Sequence, residues 1–295
     1  MRRVCIGIIA ILCVIILHSC GGGGTGNNDA TNGGKGGMAS NQPLNITIYL
    51  DLSDRLIRDN LQPDQMYRDT AIINYLVDYF KDNTLGPQIL KSKNKMRVLF
   101  YPTPNNPQIA ELAAGLLVDM SALQGLEKRQ TLETMKERFQ QNICQIYEST
   151  LKDQKWVGCD IWDFFSNKKV DQLCVMPDAR NIVVILTDGY IFATNNRINE
   201  DTACSYILPQ TLAQGKSLID KRNGDLKGKG LEVLMLEVNP YQPSERTPIF
   251  KTLDDWFTSM GVDIFVAAET DANLTTTKTI IDGFLLKSKT NSNVD

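Results

Sequence analysis

The chain changes from apolar to polar within the stretch Ile46-Thr47-Ile48-Tyr49-Leu50-Asp51-Leu52-Ser53-Asp54-Arg55. Its first half is rich in β-branched residues and predicts a buried strand. A second stretch, Asn181-Ile182-Val183-Val184-Ile185-Leu186-Thr187-Asp188-Gly189, has the same design, and its final Gly permits a sharp exit from the strand. The sequence therefore predicts two buried strands that each deliver a carboxylate to the edge of a sheet.

Strands and helices alternate along the rest of the globular part. Further strands are predicted at residues 95–101, 231–238 and 262–267, and helices after Pro63 and at residues 126–151, 205–221, 253–260 and 277–286. Residues 116–120 are interpreted as an antiparallel edge strand, although residues 109–117 also fit a helix. This alternation predicts the α/β class, a doubly wound, mostly parallel open sheet of Rossmann-like type with helices on both faces.

Two motifs, Asp51-x-Ser53 and Thr187-Asp188-Gly189, fall where such a fold collects its ligands, at the carboxyl ends of strands. A third motif is a loop led by Gly158 that precedes a helix. Together with the order of elements over residues 44–286, they resemble the von Willebrand factor A family. The resemblance implies a metal-ion-dependent adhesion site, at which Mg²⁺ or Mn²⁺ is held by hydroxyl and carboxylate oxygens and accepts a carboxylate from a partner protein.

The resemblance assigns a role to each motif residue. Asp51, Ser53 and Asp188 match the family pattern and are weak candidate metal ligands. Arg55 stands where the family has a second serine, and Cys159 stands in the loop where a threonine is expected, although sulfur is a poor ligand for Mg²⁺. The periphery of the site would be formed by the residues next to these motifs, which are Asp54, Asp160, Thr187, Gly189 and Tyr190.

Arg55 is the more consequential of the two departures. A permanently charged guanidinium removes a ligand and also repels a divalent cation. At an effective dielectric constant of about 20, two unit charges roughly 5 Å apart interact by about 3 kcal/mol, and a divalent ion doubles that figure. We therefore expect no cofactor, with Mg²⁺ or Mn²⁺ binding weakly at most. One hypothesis is that Arg55 acts as a built-in cation paired with Asp51 or Asp188. The alternative is that Arg55 points to solvent while Asp51, Ser53 and Asp188 only bond loop amides.

The N-terminal segment has the pattern of a bacterial lipoprotein signal. Arg2 and Arg3 precede an apolar run from Val4 to Leu17, and Leu17-His18-Ser19-Cys20 resembles a lipobox. The resemblance implies lipidation of Cys20 after cleavage before it, while a secretory signal cleaved elsewhere or an uncleaved anchor are the alternatives. The expected organisation is a signal peptide at 1–19, a lipidated Cys and Gly/Asn-rich tether at 20–43, the α/β domain at 44–287 and a disordered tail at 288–295.

Composition excludes several classes of function. The single histidine, His18, lies in the signal, so the mature chain would have no Ser-His-Asp triad, Cys-His pair or His-ligated zinc. The chain has 31 basic and 34 acidic residues, which does not favour nucleic acid as a partner, and no motif indicates haem or a nucleotide. Outside the signal and the lipid site stand Cys144, Cys159, Cys174 and Cys204, either as two disulfides or as buried free thiols.

The leading functional hypothesis is a lipid-anchored protein of the bacterial cell envelope, on the periplasmic face or the cell surface. Its A-type domain would bind another envelope protein without catalysis. One alternative is a Mg²⁺- or Mn²⁺-dependent hydrolase of phosphoesters or esters that uses Asp51 and Asp188, with Asp54 or Asp160 as the only available general base. Another is a lipoprotein that binds a small ligand in a pocket walled by Tyr190, Phe192 and the loop at residues 193–203.

Overall fold

The computed structural model of the 295-residue chain describes residues 42–58, 64–154, 156, 158–193, 205–207 and 224–291. These residues belong to one compact unit, Ala39–Asp295. The expected signal peptide, Cys20 and almost all of the tether lie outside the described residues. Within the described part of the chain, every helix is too short or too polar to span a bilayer.

Six strands form the main sheet. In chain order they are β1 (Leu44–Leu50), β2 (Lys95–Leu99), β3 (Leu117–Asp119), β5 (Arg180–Leu186), β8 (Leu231–Val238) and β9 (Ile264–Glu269). Their order across the sheet is β3-β2-β1-β5-β8-β9, and every neighbouring pair is parallel except β2 with β3. This is the predicted mostly parallel open sheet, and the fold class is confirmed.

Seven α-helices lie among the described residues. They are α1 (Gln65–Thr84), α2 (Pro107–Ala114), α3 (Leu126–Asp153), α4 (Ile161–Ser166), α5 (Lys169–Cys174), α6 (Arg246–Met260) and α7 (Leu274–Asn291). Short 3₁₀ turns occur at Asp54–Ile57, Ile89–Lys91 and Pro243–Glu245. The last helix therefore extends past residue 287, where the globular domain was expected to end.

Helices cover both faces of the sheet because side chains alternate along the buried strands. In β5, Ile182, Val184 and Leu186 pack into one apolar cluster with residues of α1, α2, α3 and α7. Val183 and Ile185 point the other way, into a second cluster with residues of α4, α5 and α6. The central strands are buried on both sides, which explains their near-continuous apolar sequences.

A second, three-stranded antiparallel sheet lies in the order β4-β6-β7 and was not predicted. Its strands are β4 (Gly158–Cys159), β6 (Ile191–Ala193) and β7 (Ser205–Ile207). Here the prediction of a helix from residue 205 is wrong at its start, because Ser205 and Ile207 pair with Phe192 and Ile191. The remainder of that predicted helix, residues 208–221, lies outside the described residues.

Three other predictions have clear outcomes. The alternatives at residues 109–120 both hold in part, since a helix ends at Ala114 and the antiparallel edge strand β3 follows it. The cysteines Cys144, Cys159 and Cys174 are free, and Cys159 and Cys174 are buried as the free-thiol alternative expected. Cys204 lies outside the described residues.

Candidate functional site

The two carboxylate-bearing motifs meet at the carboxyl edge of the main sheet. Strands β1 and β5 are direct neighbours in register, with Leu50 opposite Leu186. The backbone N–H of Asp51 donates to the carbonyl oxygen of Leu186 over 3.0 Å, so the ladder continues to the point where both strands end. Asp51 and Asp188 are consequently held side by side, as the strand-end argument predicted.

Asp51 is buried, and both of its carboxylate oxygens accept hydrogen bonds. Its Oδ1 accepts the backbone N–H of Ser53 over 2.8 Å, and its Oδ2 accepts the hydroxyl of Thr187 over 2.8 Å. The Oγ of Ser53 in turn accepts the backbone N–H of Arg55 and caps the 3₁₀ turn. The oxygens of this loop therefore already bond to protein donors rather than pointing into an open coordination site.

Arg55 is buried, with 2% of its surface exposed, so the alternative that it points to solvent is wrong. Its Nη2 donates to Oδ2 of Asp69 over 2.7 Å, and its Nε donates to the backbone carbonyl of Asp51 over 3.0 Å. Nε also lies 3.6 Å from Oδ2 of Asp51. The predicted partner Asp51 is thus a secondary contact, whereas the main partner, Asp69 on α1, was not anticipated.

The electrostatic balance at Arg55 favours the charged guanidinium. Burial alone lowers the pKa of an arginine, but the adjacent carboxylates of Asp69 and Asp51 more than offset this and leave the pKa of Arg55 above its ordinary value. The hydroxyl of Tyr147 on α3 donates to Oδ2 of Asp69 over 2.7 Å. The guanidinium of Arg55 therefore places a permanent positive charge next to the Asp51 loop, which would carry a metal.

A second buried ion pair extends the network beside Arg55. Arg68 on α1 donates from Nε to Oε2 of Glu237 over 2.6 Å and from Nη2 to Oε1 over 3.0 Å. Gln65 joins the two pairs, since its Nε2 lies 2.8 Å from Oδ1 of Asp69 and 3.4 Å from Oε2 of Glu237. Helix α1 is thereby connected to the carboxyl ends of both β1 and β8.

Asp188 is the other strand-end carboxylate; it forms its ion pair with Arg58, and the charge of Arg55 also acts to lower its pKa. Its Oδ1 accepts the backbone N–H of Tyr190 over 3.1 Å, and its Oδ2 lies 3.4 Å from Nη1 of Arg58. Burial, followed by the nearby charge of Asp51, raises the pKa of Asp188 to about 7. Burial is the larger of the two causes, so the raised pKa mainly reflects the shielding of Asp188 from water.

Gly189 makes the sharp turn that its motif predicted. Its φ of +93° lies in the region that favours glycine, and a Cβ there would come within 2.9 Å of a methyl carbon of Val238. The glycine thus lets the chain pass close to the end of β8 and turn Tyr190 into the site.

The remaining peripheral residues divide into two groups. Asp160 is a helix cap, because its Oδ1 accepts the backbone N–H of Asp163 over 2.8 Å at the start of α4. Cys159 is buried in β4, and burial, with the charge of Asp51, raises the pKa of its thiol well above the usual value. A thiol that resists ionisation is a poor metal ligand, so Cys159 is also unsuited to the role that the resemblance assigns.

The residues present do not fit a divalent cation. The loop oxygens of Asp51 and Ser53 are engaged by protein donors, and the guanidinium of Arg55 adds a positive charge beside them. Nowhere in the described part of the chain do three His, Cys, Asp or Glu side chains come together in a way that could hold a metal ion.

A cavity of about 610 Å³ opens above this network. It contains four aromatic side chains and three carboxylates, and the described residues that line it include no Lys, Arg or His. The lining consists of Ser53, Asp54, Trp156, Gly158, Cys159, Asp188, Tyr190, Phe192, Tyr241, Gln242 and Glu245. Its volume lies within the range of about 300–1,000 Å³ that is typical of ligand pockets.

Tyr190 and the segment after β8 form one wall of the cavity. The hydroxyl of Tyr190 donates to Oε2 of Glu245 over 2.5 Å and accepts the backbone N–H of Tyr241 over 2.8 Å. The same Oε2 accepts the backbone N–H of Gln242 over 3.2 Å. Of these lining residues, Tyr241, Gln242 and Glu245 were missed in the sequence, although they directly follow a predicted strand, β8, at its carboxyl end.

Comparison with known proteins leaves the family open. No protein family matches the chain, and no curated protein resembles it in sequence. Among solved structures, the conserved hypothetical protein BatB from Bacteroides thetaiotaomicron aligns with 84% of this chain and 99% of its own, at a TM-score of 0.42 and 11% identity. The pilus adhesin SpaC from Lactobacillus rhamnosus GG aligns with 84% of this chain but only 30% of its own, at 0.40 and 10%. At these values neither similarity establishes a function.

Replacing Arg55 tests how much its buried guanidinium contributes to the stability of the fold. We expect Arg55→Met to lower the free energy of unfolding by about 3–5 kcal/mol, because it leaves the Asp69 carboxylate buried without its partner. Adding Asp69→Asn to that variant removes the orphaned charge, and most of the lost stability should return. Urea unfolding of the single and double variants measures both effects.

The matched control is Arg246→Met, which breaks an ion pair with Glu269 whose side chains are 60% and 40% exposed. Exposed pairs contribute about 0–1 kcal/mol, so this variant should unfold almost as the wild type does. Equal losses for Arg55→Met and Arg246→Met would contradict the role assigned to Arg55.

Replacing Asp188 tests the negative charge of the site through its pH dependence. Between about pH 4 and pH 7 the folded chain keeps the Asp188 proton that the unfolded chain releases, so this group makes the protein less stable as pH rises. Asp188→Asn should therefore raise the free energy of unfolding at pH 8, by on the order of 1–4 kcal/mol, and the gain should vanish near pH 4.

Urea unfolding at the two pH values measures this difference. Asp82→Asn, on an exposed position of α1, controls for the loss of one negative charge elsewhere on the protein. A variant at Asp188 that is less stable than wild type at pH 8 would show that the carboxylate is stabilised by its neighbours rather than crowded by them.

Proposed function

We propose that this chain is a lipid-anchored cell-envelope protein whose α/β domain binds another envelope protein at the carboxyl edge of its sheet. Binding occurs through protein side chains, without a metal and without catalysis of its own. The proposal combines an anchor inferred from the N-terminal sequence with an interaction surface inferred from the geometry of the site.

The anchor rests on the N-terminal motifs. Arg2, Arg3 and the apolar run before Leu17-His18-Ser19-Cys20 support a lipoprotein signal, and the Gly/Asn-rich segment that follows would hold the domain away from the membrane. Lipidated Cys20 would then attach the protein to a membrane of the cell envelope. Metabolic labelling with palmitate tests this, because a chain that carries no label at Cys20 has no such anchor.

The observation that carries the interaction role is a set of large apolar side chains left exposed around the site. Ile57 in the 3₁₀ turn after β1 is 55% exposed, Tyr67 in the first turn of α1 is 60% exposed, and Tyr241 after β8 is 46% exposed. All three belong to segments at the carboxyl edge of the sheet. We call Ile57, Tyr67 and Tyr241 the apolar rim. Of the three, Tyr241 also lines the cavity. Exposed aromatic and apolar groups that share one edge of a domain are typical of surfaces that bind proteins.

The network beneath the rim supports binding without a metal. Because Arg55 is paired with Asp69 inside the domain, the edge carries its own cation and needs no external ion to hold Asp51 in place.

The chemistry required of a hydrolase is less well supported. Asp160, one of its two candidate bases, is engaged as the cap of α4, and Asp51 is buried and doubly bonded.

Small-ligand binding is the second candidate function, and the cavity itself supports it. Tyr190 and Phe192, which the sequence suggested as pocket walls, both line the cavity of about 610 Å³. The loop suggested as the third wall, residues 193–203, lies outside the described residues except for Ala193. A protein partner that inserts one side chain into the cavity accounts for both the rim and the pocket.

Substitution of the rim tests the interaction directly. Affinity capture from cell envelopes, with the full chain as bait after chemical crosslinking, should recover a defined partner with the wild type. The double substitution Ile57→Ser and Tyr67→Ser removes two apolar anchors and should reduce that recovery at least about tenfold, since anchor residues commonly contribute 2 kcal/mol or more.

The matched control is the double substitution Leu90→Ser and Leu126→Ser. These side chains are 65% and 78% exposed, respectively, but lie on segments away from the carboxyl edge. This variant should recover the partner as the wild type does. If the two double variants behave alike, the carboxyl edge is not the interaction surface.

A further inference from the structure

The cavity above the strand ends has an unusual combination of wall chemistry. Four of its lining side chains are aromatic, Trp156, Tyr190, Phe192 and Tyr241. Three others carry carboxylates, Asp54, Asp188 and Glu245, and the described lining residues contribute no positive charge. Aromatic faces carry negative electrostatic potential, so both kinds of wall attract a cation.

The protein already places one of its own cations on this wall. The guanidinium of Arg58 lies over the ring of Tyr241, with its central carbon 3.9 Å from the ring centroid. The same group reaches Oδ2 of Asp188 at 3.4 Å and donates to the backbone carbonyl of Asn239 over 2.9 Å. An aromatic face and a carboxylate therefore hold a guanidinium here, which demonstrates the chemistry that the rest of the cavity offers.

One carboxylate and two aromatic walls remain available beyond Arg58. Asp54 is exposed at the cavity mouth, in the turn after β1. Trp156 and Phe192 line the cavity on the side formed by the segment that leads into β4 and by β6. Asp188 already pairs with Arg58, so the exposed Asp54 is the carboxylate that a ligand can reach.

Other ligand classes fit less well. A carboxylate or phosphate would meet Asp54, Asp188 and Glu245, and Arg58, which lies against Tyr241, is already paired with Asp188. A neutral apolar group would satisfy the aromatic walls but leave these acidic groups facing a ligand that cannot pair with them. A cation on a flexible apolar stem matches both features, because its stem packs on the rings while its head reaches the carboxylates.

We propose that the cavity binds a basic side chain, lysine or arginine, presented by the partner protein. The ammonium or guanidinium lies against Trp156 and Phe192 and pairs with Asp54, while the apolar rim contacts the polypeptide that carries it. This inference rests on the proposed function and specifies the chemistry of the partner. It reverses the preference of a metal-bearing adhesion site, which receives an acidic group.

Matched peptides test the preference for a cation. We would titrate the full-length chain in detergent with acetylated tripeptide amides that place Arg, Lys, norleucine or Glu between two glycines, and follow tryptophan fluorescence. The Arg and Lys peptides should bind saturably at millimolar concentrations, at least about tenfold more tightly than the norleucine peptide, and more weakly as salt is added. The Glu peptide should not bind. Loss of the signal in Trp156→Phe assigns it to the cavity.

Two substitutions place the cation in the cavity. Phe192→Leu removes an aromatic wall and should weaken the Arg peptide by about twofold to thirtyfold, the range of cation–π contacts. Asp54→Asn changes an exposed side chain that the fold does not need, and should weaken the Arg peptide severalfold without affecting the norleucine peptide. Asp82→Asn, exposed on α1, should leave all affinities unchanged.

Several outcomes would overturn the inference. These are binding of the norleucine or Glu peptide as tightly as the Arg peptide, absence of saturable binding by any peptide, or an Arg affinity that neither Phe192→Leu nor Asp54→Asn alters. Agmatine, a small guanidinium compound that is not part of a peptide, would be titrated in the same way. If agmatine binds more tightly than the Arg peptide, the cavity belongs to a soluble cation rather than to a partner side chain.

The failure of this inference can be distinguished from failure of the proposed function. Suppose that the rim variants lose their partner while the peptides show no preference. The proposed interaction surface is then supported, and the proposal that the cavity binds a basic side chain is wrong. If the basic peptides bind as expected but the rim variants keep their partner, the partner docks elsewhere. The cavity is then a small-cation site, and both the interaction surface and this inference are wrong.

Discussion

The conformation of the chain at the carboxyl edge of the sheet depends on the ion pair between Arg55 and Asp69. It joins the turn after β1 to helix α1, and Tyr147 of α3 bonds the same carboxylate. Bringing a guanidinium and a carboxylate out of water costs several kcal/mol for each ion, and only close geometry with further hydrogen bonds recovers that cost. Arg55 meets this condition, since its Nε also bonds the backbone carbonyl of Asp51. The pair therefore determines where the Asp51 loop lies.

The functional consequence is a division between a sealed interior and an open, acidic exterior. Arg55 donates to the backbone carbonyl of Asp51 and to the carboxylate of Asp69, so these buried groups already have protein partners. Above them, Asp54 and Asp188 face a cavity with aromatic walls. The carboxylates of Asp54, Asp188 and Glu245 give the lining of this cavity a negative charge.

Much of the fold followed from local sequence patterns. The uninterrupted β-branched runs of β1 and β5 identified buried parallel strands, and the strand-end rule placed Asp51 and Asp188 together. Asp69 was missed although it carries a signal: it precedes Ile72, Ile73 and Leu76 on the same helical stripe, and an acid on a buried stripe needs a partner. Tyr241 could have been identified in the sequence in the same way as Asp51 and Asp188, because it lies just after the carboxyl end of a predicted strand, β8. The small sheet could not be predicted, because its three-residue strands β6 and β7 pair across a long intervening segment.

Heat-induced unfolding with added metal tests the central claim, that Arg55 serves in place of an ion. The full chain, stripped with EDTA, would be unfolded with and without millimolar Mg²⁺ or Mn²⁺. A metal present at a hundred times its dissociation constant would stabilise the fold by about 2.7 kcal/mol and raise the midpoint by several degrees. The account predicts an unchanged midpoint for the wild type. A clear rise that Asp188→Ala abolishes would contradict it.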